Sequence, residues 1–112
     1  MNKKPDPFEV ISSSTLRDSD LLEAYIAALE LYRPIKYKNL IAEGRSILEK
    51  HGDFGYIGYL DEDLQDHLSW VIHEDFSSAL DDIAPAGCYF GSHPGDGALI
   101  GFWPFEESPL WE

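Results

Sequence analysis

Apolar residues recur at helical spacing through the middle of the chain. At about 100° per residue, nine of them fall on one side of a helix: Leu60, Leu64, Leu68, Val71, Ile72, Phe76, Ala79, Leu80 and Ile83. The pattern predicts a helix from about Asp61 towards Ile83 that buries this side in a core. Asp75 and Asp82 interrupt the apolar side. Either the helix breaks near Asp75, which then caps a shorter fourth helix, or its packed face ends there.

Two helices are predicted before this one. Asp20 can cap the first turn of the earlier helix, and Glu23 lies in the capping-box position three residues later. The next helix is predicted over residues 37–50, and Gly52 is the residue type that commonly ends a helix. The segment 53–59 that follows is aromatic and punctuated by glycine. It fits both a short edge strand and an extended connector.

The C-terminal part of the chain has the composition of strands. Residues 88–93 and 98–103 are rich in β-forming residues, and Pro-Gly-Asp-Gly at 94–97 supplies a turn between them. The chain is therefore predicted to fold as α+β, with three or four helices packed with a C-terminal antiparallel β-hairpin. We expect a single domain over residues 15–112 that follows a flexible leader over residues 1–14.

The charges are divided unevenly along the chain. All eight basic residues lie within residues 1–50, where eight acidic residues balance them. Residues 51–112 hold the other 13 of the 21 acidic residues and no Lys or Arg, so they carry the whole net charge of −13. Such a field attracts a basic partner and repels nucleic acid. Acid on a surface also aids solubility, so the pattern fits both a solubility device and a functional acidic face.

Length and composition bound the class of protein. A chain of 112 residues with 44% hydrophobic residues matches one domain with a core of its own. Its single cysteine, Cys88, excludes an internal disulfide and fits a reducing compartment. The sequence contains neither the apolar stretch of a secretory signal nor one long enough to span a membrane. We therefore expect a soluble cytoplasmic protein that has no membrane partner.

No sequence pattern predicts catalysis or a bound cofactor. The Gly-Asp-Gly sequence at 95–97 lacks the Gly-Lys and the helix of a phosphate loop. Cys88 with His73 or His93 offers a nucleophile and a base, but a single cysteine at the start of an apolar strand is typical of a core residue. Imidazoles among many carboxylates suit a transition metal, yet His67 and His73 lie about 120° apart on a helix. We expect no enzyme activity, no metal and no cofactor.

The polar side of the long predicted helix is the candidate binding surface. Its carboxylates recur at steps of about 6 Å per four residues, which is comparable with successive phosphates along a nucleic-acid strand. No Lys or Arg lies within helical reach to pair with them, and a Trp among them is suited to anchor an interface. The predicted partner-binding residues are Asp61, Glu62, Asp63, Asp66, Trp70, Glu74, Asp75, Asp81 and Asp82.

One resemblance to known proteins lies in the C-terminal part of the chain. The residues that carry it are 83–97, with the sequence IAPAGCYFGSHPGDG, and Gly101-Phe102-Trp103. This segment resembles small uncharacterised acidic proteins of phages and mobile elements. The resemblance covers about a fifth of the chain. It implies a setting that includes antirestriction and anti-CRISPR inhibitors, several of which are acidic DNA mimics. It carries over no functional residues.

Together these patterns predict a non-enzymatic acidic inhibitor. It would occupy the basic DNA- or RNA-binding channel of a host defence nuclease complex, of the anti-CRISPR or antirestriction type, without binding nucleic acid itself. An immunity protein that neutralises a basic nuclease toxin needs the same acidic field. A small metal- or ligand-binding domain that uses His67, His73 and His93 is a further alternative. A monomer and a homodimer are both compatible with the sequence.

Overall fold

The computed structural model describes residues 4–111. The helices are α1 (Asp18–Tyr32), α2 (Lys38–His51), α3 (Glu62–Ser69) and α4 (Ser77–Asp82), and a π-helical segment (Trp70–Phe76) joins α3 to α4. The strands are β1 (Val10–Ser12), β2 (Cys88–His93) and β3 (Asp96–Pro104), and short 3-10 turns cover Ile57–Tyr59 and Pro109–Trp111. The predicted α+β class is confirmed. Residues 1–3 of the predicted leader and Glu112 lie outside the described residues.

α3, the π-helical segment and α4 form one unbroken helix, residues 62–82, which we call the acidic helix. Ser69 and Ser77, which flank the π-helical segment, both have right-handed helical dihedral angles. Asp75 lies inside this segment and starts no separate helix. The helix therefore continues past Asp75. In a π-helical turn the backbone bonds run from residue i to i+5, a rare geometry that apolar periodicity does not reveal.

The inner side of the acidic helix packs against α1 and α2. Leu68, Ile72 and Phe76 are fully buried, as the apolar periodicity predicts. Burial of a side chain of this size contributes about 1.5–3 kcal/mol. The Phe76 ring lies 6.5 Å from the ring of Tyr25 on α1. Gly44 of α2 makes the packing close, because a Cβ at this position would lie only 2.8 Å from the Phe76 ring.

α1 begins at Asp18, two residues before the predicted cap, so the predicted capping role of Asp20 is wrong. Arg17 precedes the helix, and its side chain makes no capping hydrogen bond. The Asp20 carboxylate lies within the first turn, where it accepts a hydrogen bond from the Thr15 hydroxyl at 2.7 Å and binds the Arg17 guanidinium. These upstream donors hold the carboxylate away from the free backbone amides. The predicted second helix is confirmed as α2, which ends at His51 and is followed by Gly52 with a φ of 62°.

The strands form an antiparallel sheet in the order β1-β3-β2. The predicted hairpin is confirmed as β2 and β3, with Tyr89 opposite Trp103 and Gly91 opposite Gly101. β1 pairs with the other side of β3. It lies in residues 10–12, where the sequence predicts a leader and no strand. The structure therefore adds a strand to the predicted hairpin.

An unusual turn and a glycine explain how this segment reaches the sheet. Phe8 has a φ of 67°, its N–H donates to the Phe102 carbonyl at 2.8 Å, and the Phe102 N–H donates to the Glu9 carbonyl at 3.0 Å. Such paired bonds define a bulge whose first position is usually glycine. The Phe8 ring packs edge-on against Trp111, with 5.0 Å between centroids, which offsets the backbone strain. Gly101 is also required, because a Cβ there would overlap the Glu9 carbonyl oxygen.

Candidate partner-binding surface

The acidic helix starts with carboxylates at positions that favour helix formation. Asp61 precedes α3, and its Oδ1 accepts a hydrogen bond from the Leu64 N–H at 3.1 Å. Glu62 and Asp63 follow in the first turn, where negative charge interacts favourably with the helix dipole. Helix capping and the helix dipole therefore explain why acidic residues occur at this end of the helix.

The acidic helix carries carboxylates that form no ion pair among residues 4–111. Five predicted residues make up this set, the first four exposed and the last half-buried: Glu62, Asp63, Asp66, Glu74 and Asp75. We call them the unpaired carboxylates, because none of them takes part in an ion pair among residues 4–111. Ion pairs at helical spacing are the usual means of stabilising an exposed helix. The unpaired carboxylates do not contribute to the fold in this way.

Two further predicted residues are exposed but hold parts of the fold together. Asp81 Oδ1 accepts a hydrogen bond from the Phe90 N–H at 3.1 Å, so this amide of the edge strand β2 is not open to another strand. Asp82 binds Lys36 Nζ at 2.7 Å and also accepts a hydrogen bond from the Tyr37 hydroxyl. The hydrogen bonds from Lys36 and Tyr37 lower the pKa of Asp82 below its ordinary value.

Trp70 projects from the outer side of the acidic helix and is 63% exposed. It opens the π-helical segment, four residues after Asp66 and four residues before Glu74. The next two residues, Val71 and Ile72, are buried and hold this part of the helix on the core. The Trp70 ring therefore offers a large apolar area at a fixed place among carboxylates, which a partner can cover.

Two exposed tyrosines that the sequence did not single out precede the acidic helix. The segment 53–59 is not a strand, and it ends in the 3-10 turn Ile57–Tyr59. Tyr59 is 83% exposed, and its ring lies 5.9 Å from the Tyr56 ring in an edge-to-face arrangement. Ile57 between them is buried and anchors the turn. The signal in the sequence was an aromatic segment punctuated by glycine, which periodicity could not place.

The carboxylate of Asp18, at the start of α1, ties this tyrosine turn to the π-helical segment. Its Oδ2 accepts a hydrogen bond from the Ile57 N–H at 2.7 Å, and its Oδ1 lies 2.7 Å from His73 Nε2. The Ile57 amide and the His73 ring therefore meet on one carboxylate. The turn and the π-helical segment are held on adjoining parts of the surface as a result. No local pattern predicts contacts between residues so far apart in sequence.

The three histidines of the alternative metal site and Cys88 have separate surroundings. His67 lies on α3, His73 lies in the π-helical segment, and His93 lies on β2. Within residues 4–111, no three His, Cys, Asp or Glu side chains form a group that could hold a metal ion. Cys88 is buried, and burial raises the pKa of its thiol, which disfavours the reactive thiolate.

Comparison of the chain with protein-family models, with curated proteins and with solved structures finds no match. Within residues 4–111, no helix has both the length and the apolar character that crossing a membrane requires. The exposed side chains of the acidic helix are the feature of the molecule from which a function can be proposed.

Proposed function

We propose that the protein is a non-enzymatic inhibitor that binds the basic DNA- or RNA-binding channel of a nuclease complex. The inhibitor would be of the anti-CRISPR or antirestriction type. Its target would be a host defence complex in the cytoplasm of the host cell. One observation carries the proposal: the five unpaired carboxylates lie along one helix and have no ion-pair partner within residues 4–111. Charge left unpaired in this way is available to a basic partner.

The length of this charged side suits a channel that holds a nucleic-acid strand. Glu62 and Glu74 are twelve residues apart, which corresponds to about 18 Å at about 1.5 Å per helical residue. Carboxylates spread over this length on a rigid helix are comparable with the run of phosphates that a basic channel neutralises. Free nucleic acid is repelled by the same field. The protein therefore competes with nucleic acid for the channel and does not bind nucleic acid.

The placement of the charge supports binding over solubility. A surface that serves solubility intersperses charges of both signs. Residues 1–50 intersperse charges of both signs. Glu30 pairs with Arg45, and Arg17 pairs with the nearby Asp53. Glu23, Glu43 and Glu49 form no ion pair among residues 4–111, but they lie in the part of the chain that holds every Lys and Arg. The unpaired carboxylates lie in the part that holds no Lys or Arg, so their mutual repulsion persists in the free protein. A basic partner would relieve this repulsion on binding.

Replacement of Asp63, Asp66 and Glu74 by Asn, Asn and Gln tests the proposal. The partner is captured from host cells, purified, and titrated with each protein over a series of salt concentrations. We expect the affinity to fall about tenfold or more at low salt, because three favourable charge contacts with the channel are lost. The dependence of affinity on salt should weaken as well, because fewer interacting charges remain to be screened.

A matched control removes the same amount of charge from the other half of the molecule. Glu23, Glu43 and Glu49 are exposed carboxylates of α1 and α2, and the control replaces all three with Gln. This variant should keep the wild-type affinity. Equal losses in both variants would mean that net charge alone matters, and no loss in either would reduce the acidic helix to a solubility device. A partner that is a nuclease toxin would place the protein in the immunity class.

A further inference from the structure

Three exposed aromatic side chains accompany the unpaired carboxylates. Tyr59, Trp70 and Tyr56 are 83%, 63% and 43% exposed. We call these three residues the aromatic surface. An aromatic ring that stays in water adds little to the stability of the fold, whereas Tyr and Trp are enriched among the residues that dominate binding energy at interfaces. The aromatic surface is therefore a candidate docking surface.

The backbone beneath the aromatic surface is held in place. The buried Ile57 donates its N–H to Asp18. Gln65 Nε2 donates to the Leu60 carbonyl at 2.6 Å, which fastens the end of the tyrosine turn to α3. His73 of the π-helical segment binds the second oxygen of Asp18. The two elements that carry the aromatic surface are thus fixed before any partner arrives, and a surface already in place loses little conformational freedom on binding.

Charge decides which group this surface can receive. Because the unpaired carboxylates form no ion pair among residues 4–111 and residues 51–112 contain no Lys or Arg, a nucleobase attached to phosphate is repelled and a cationic group is attracted. The guanidinium of arginine stacks on aromatic rings and pairs with carboxylates through two parallel hydrogen bonds. The ammonium of lysine is a compact, strongly hydrated charge that lacks this planar fork. The combination of rings and carboxylates is therefore complementary to arginine.

We infer that the aromatic surface, together with the unpaired carboxylates, receives arginine side chains of the partner protein. The inference rests on the proposed function and specifies the partner further. The part of its channel that meets the start of the acidic helix is lined by arginine and not by lysine. Tyr56 and Tyr59 join Trp70 as binding residues.

Two synthetic peptides, deca-arginine and deca-lysine, test the inference on the intact protein. They have equal length and equal charge, so a surface that binds through charge alone binds both alike. We expect deca-arginine to bind about fivefold or more tightly at physiological salt, which is the contribution of one or two exposed cation–π contacts. The dissociation constants are measured by fluorescence anisotropy of end-labelled peptides.

A double variant, Tyr59→Ala with Trp70→Ala, removes two rings and leaves every carboxylate in place. Its preference for deca-arginine should fall well below that of the wild type, and any remainder is what Tyr56 and bidentate pairing with the carboxylates contribute. Phe105→Ala is the matched control, because Phe105 is another half-exposed aromatic residue of the acidic half, with Glu106 and Glu107 next to it. This control should keep the preference for deca-arginine. Circular dichroism of all variants checks that they are folded as the wild type is.

The outcomes separate the inference from the proposed function. Equal affinity of the wild type for both peptides, with weaker binding of both by the variant that neutralises Asp63, Asp66 and Glu74, would overturn the arginine preference alone. A preference for deca-arginine that is undiminished in the double variant would overturn the role of the aromatic surface. No binding of either peptide, even at low salt, would overturn the inference and the acidic binding surface together.

Discussion

The inner and outer sides of the acidic helix share one backbone but have opposite relations to the rest of the molecule. The inner side buries Leu68 and Phe76, and the missing Cβ of Gly44 allows α2 to approach closely. The outer side carries the four exposed unpaired carboxylates and the largely exposed Trp70. The core is built by the inner side, and the exposed Trp70 and the exposed unpaired carboxylates are left available to a partner.

Carboxylates that form ion pairs can be compared with the unpaired carboxylates in the same way, by what each contributes to the fold. Glu30 of α1 pairs with Arg45 of α2, and the hydrogen bond from Arg45 lowers the pKa of Glu30. Asp82, at the far end of the acidic helix, pairs with Lys36. These two carboxylates hold elements together beside a cation, whereas Asp81 does so through the Phe90 N–H. The unpaired carboxylates form no ion pair among the residues described, so ion pairing does not account for their presence, although Glu62 and Asp63 favour the helix through its dipole.

The largest effect on stability is expected from a comparison of one buried and one exposed residue of the π-helical segment. Phe76→Ala should lower the free energy of unfolding by about 3–5 kcal/mol, because it leaves a cavity in the core. Trp70→Ala should lower it by about 0.5 kcal/mol or less, because most of that ring is already in water. Urea denaturation followed by far-UV circular dichroism measures both. A loss in Trp70→Ala as large as that in Phe76→Ala would abolish the distinction between the sides.

A smaller effect is expected at Asp82, where the outer side meets a cation. Hydrogen bonds from Lys36 and Tyr37 lower the pKa of Asp82 in the folded protein. Their stabilisation is therefore fully present above the ordinary pKa of aspartate and is lost as the pH falls through the lowered value. Asp82→Asn should cost up to about 1 kcal/mol at neutral pH, since the pair is exposed and screened by solvent.

The pH dependence provides the check on this prediction. The difference in unfolding free energy between the wild type and Asp82→Asn should shrink as the pH falls below the ordinary aspartate range. Asp66→Asn is the control, because Asp66 has no ion pair among residues 4–111. It should cost no stability at neutral pH. A difference at Asp82 that is constant with pH would contradict the role of its charge.

The sequence predicts the helices and the hairpin because both follow from local patterns. The apolar side of the acidic helix is visible at its helical period, and the hairpin is marked by turn residues between β-formers. β1 could not be predicted in this way. It depends on the positive φ of Phe8, which is unusual for a bulky residue, and on the missing Cβ of Gly101 some ninety residues away. Only the folded backbone brings the two together.

The candidate surface could be predicted only in part, because local patterns show which side of a helix a residue occupies but not its distant contacts. Periodicity places Asp63, Asp66, Trp70 and Glu74 on the outer side, and all four are exposed. It places Asp75 on the apolar side, where the residue is half-buried. Periodicity does not show which carboxylates find partners: Lys36 lies 46 residues from Asp82 in sequence. It also does not show that the exposed tyrosines of residues 56–59 lie beside the acidic helix, because that placement depends on Asp18.

The smallest expected effect on stability belongs to the variant in which Asp63, Asp66 and Glu74 become Asn, Asn and Gln. Its unfolding free energy should lie within about 0.5 kcal/mol of the wild type, since exposed residues without partners contribute little. At low salt the change should be a small gain, because repulsion along the outer side is relieved. At 1 M salt, where the screening length is about 3 Å, this gain should vanish.

Urea denaturation at the two salt concentrations measures the change, with the Glu23, Glu43 and Glu49 replacement as the comparison at equal net charge. A salt-dependent gain confined to the acidic helix would locate the repulsion there; equal gains in both variants would assign it to net charge as a whole. A loss above about 1 kcal/mol would mean that the outer carboxylates hold the fold after all. If the variant is as stable as the wild type and has lost its partner, the three carboxylates serve binding, because folding does not need them.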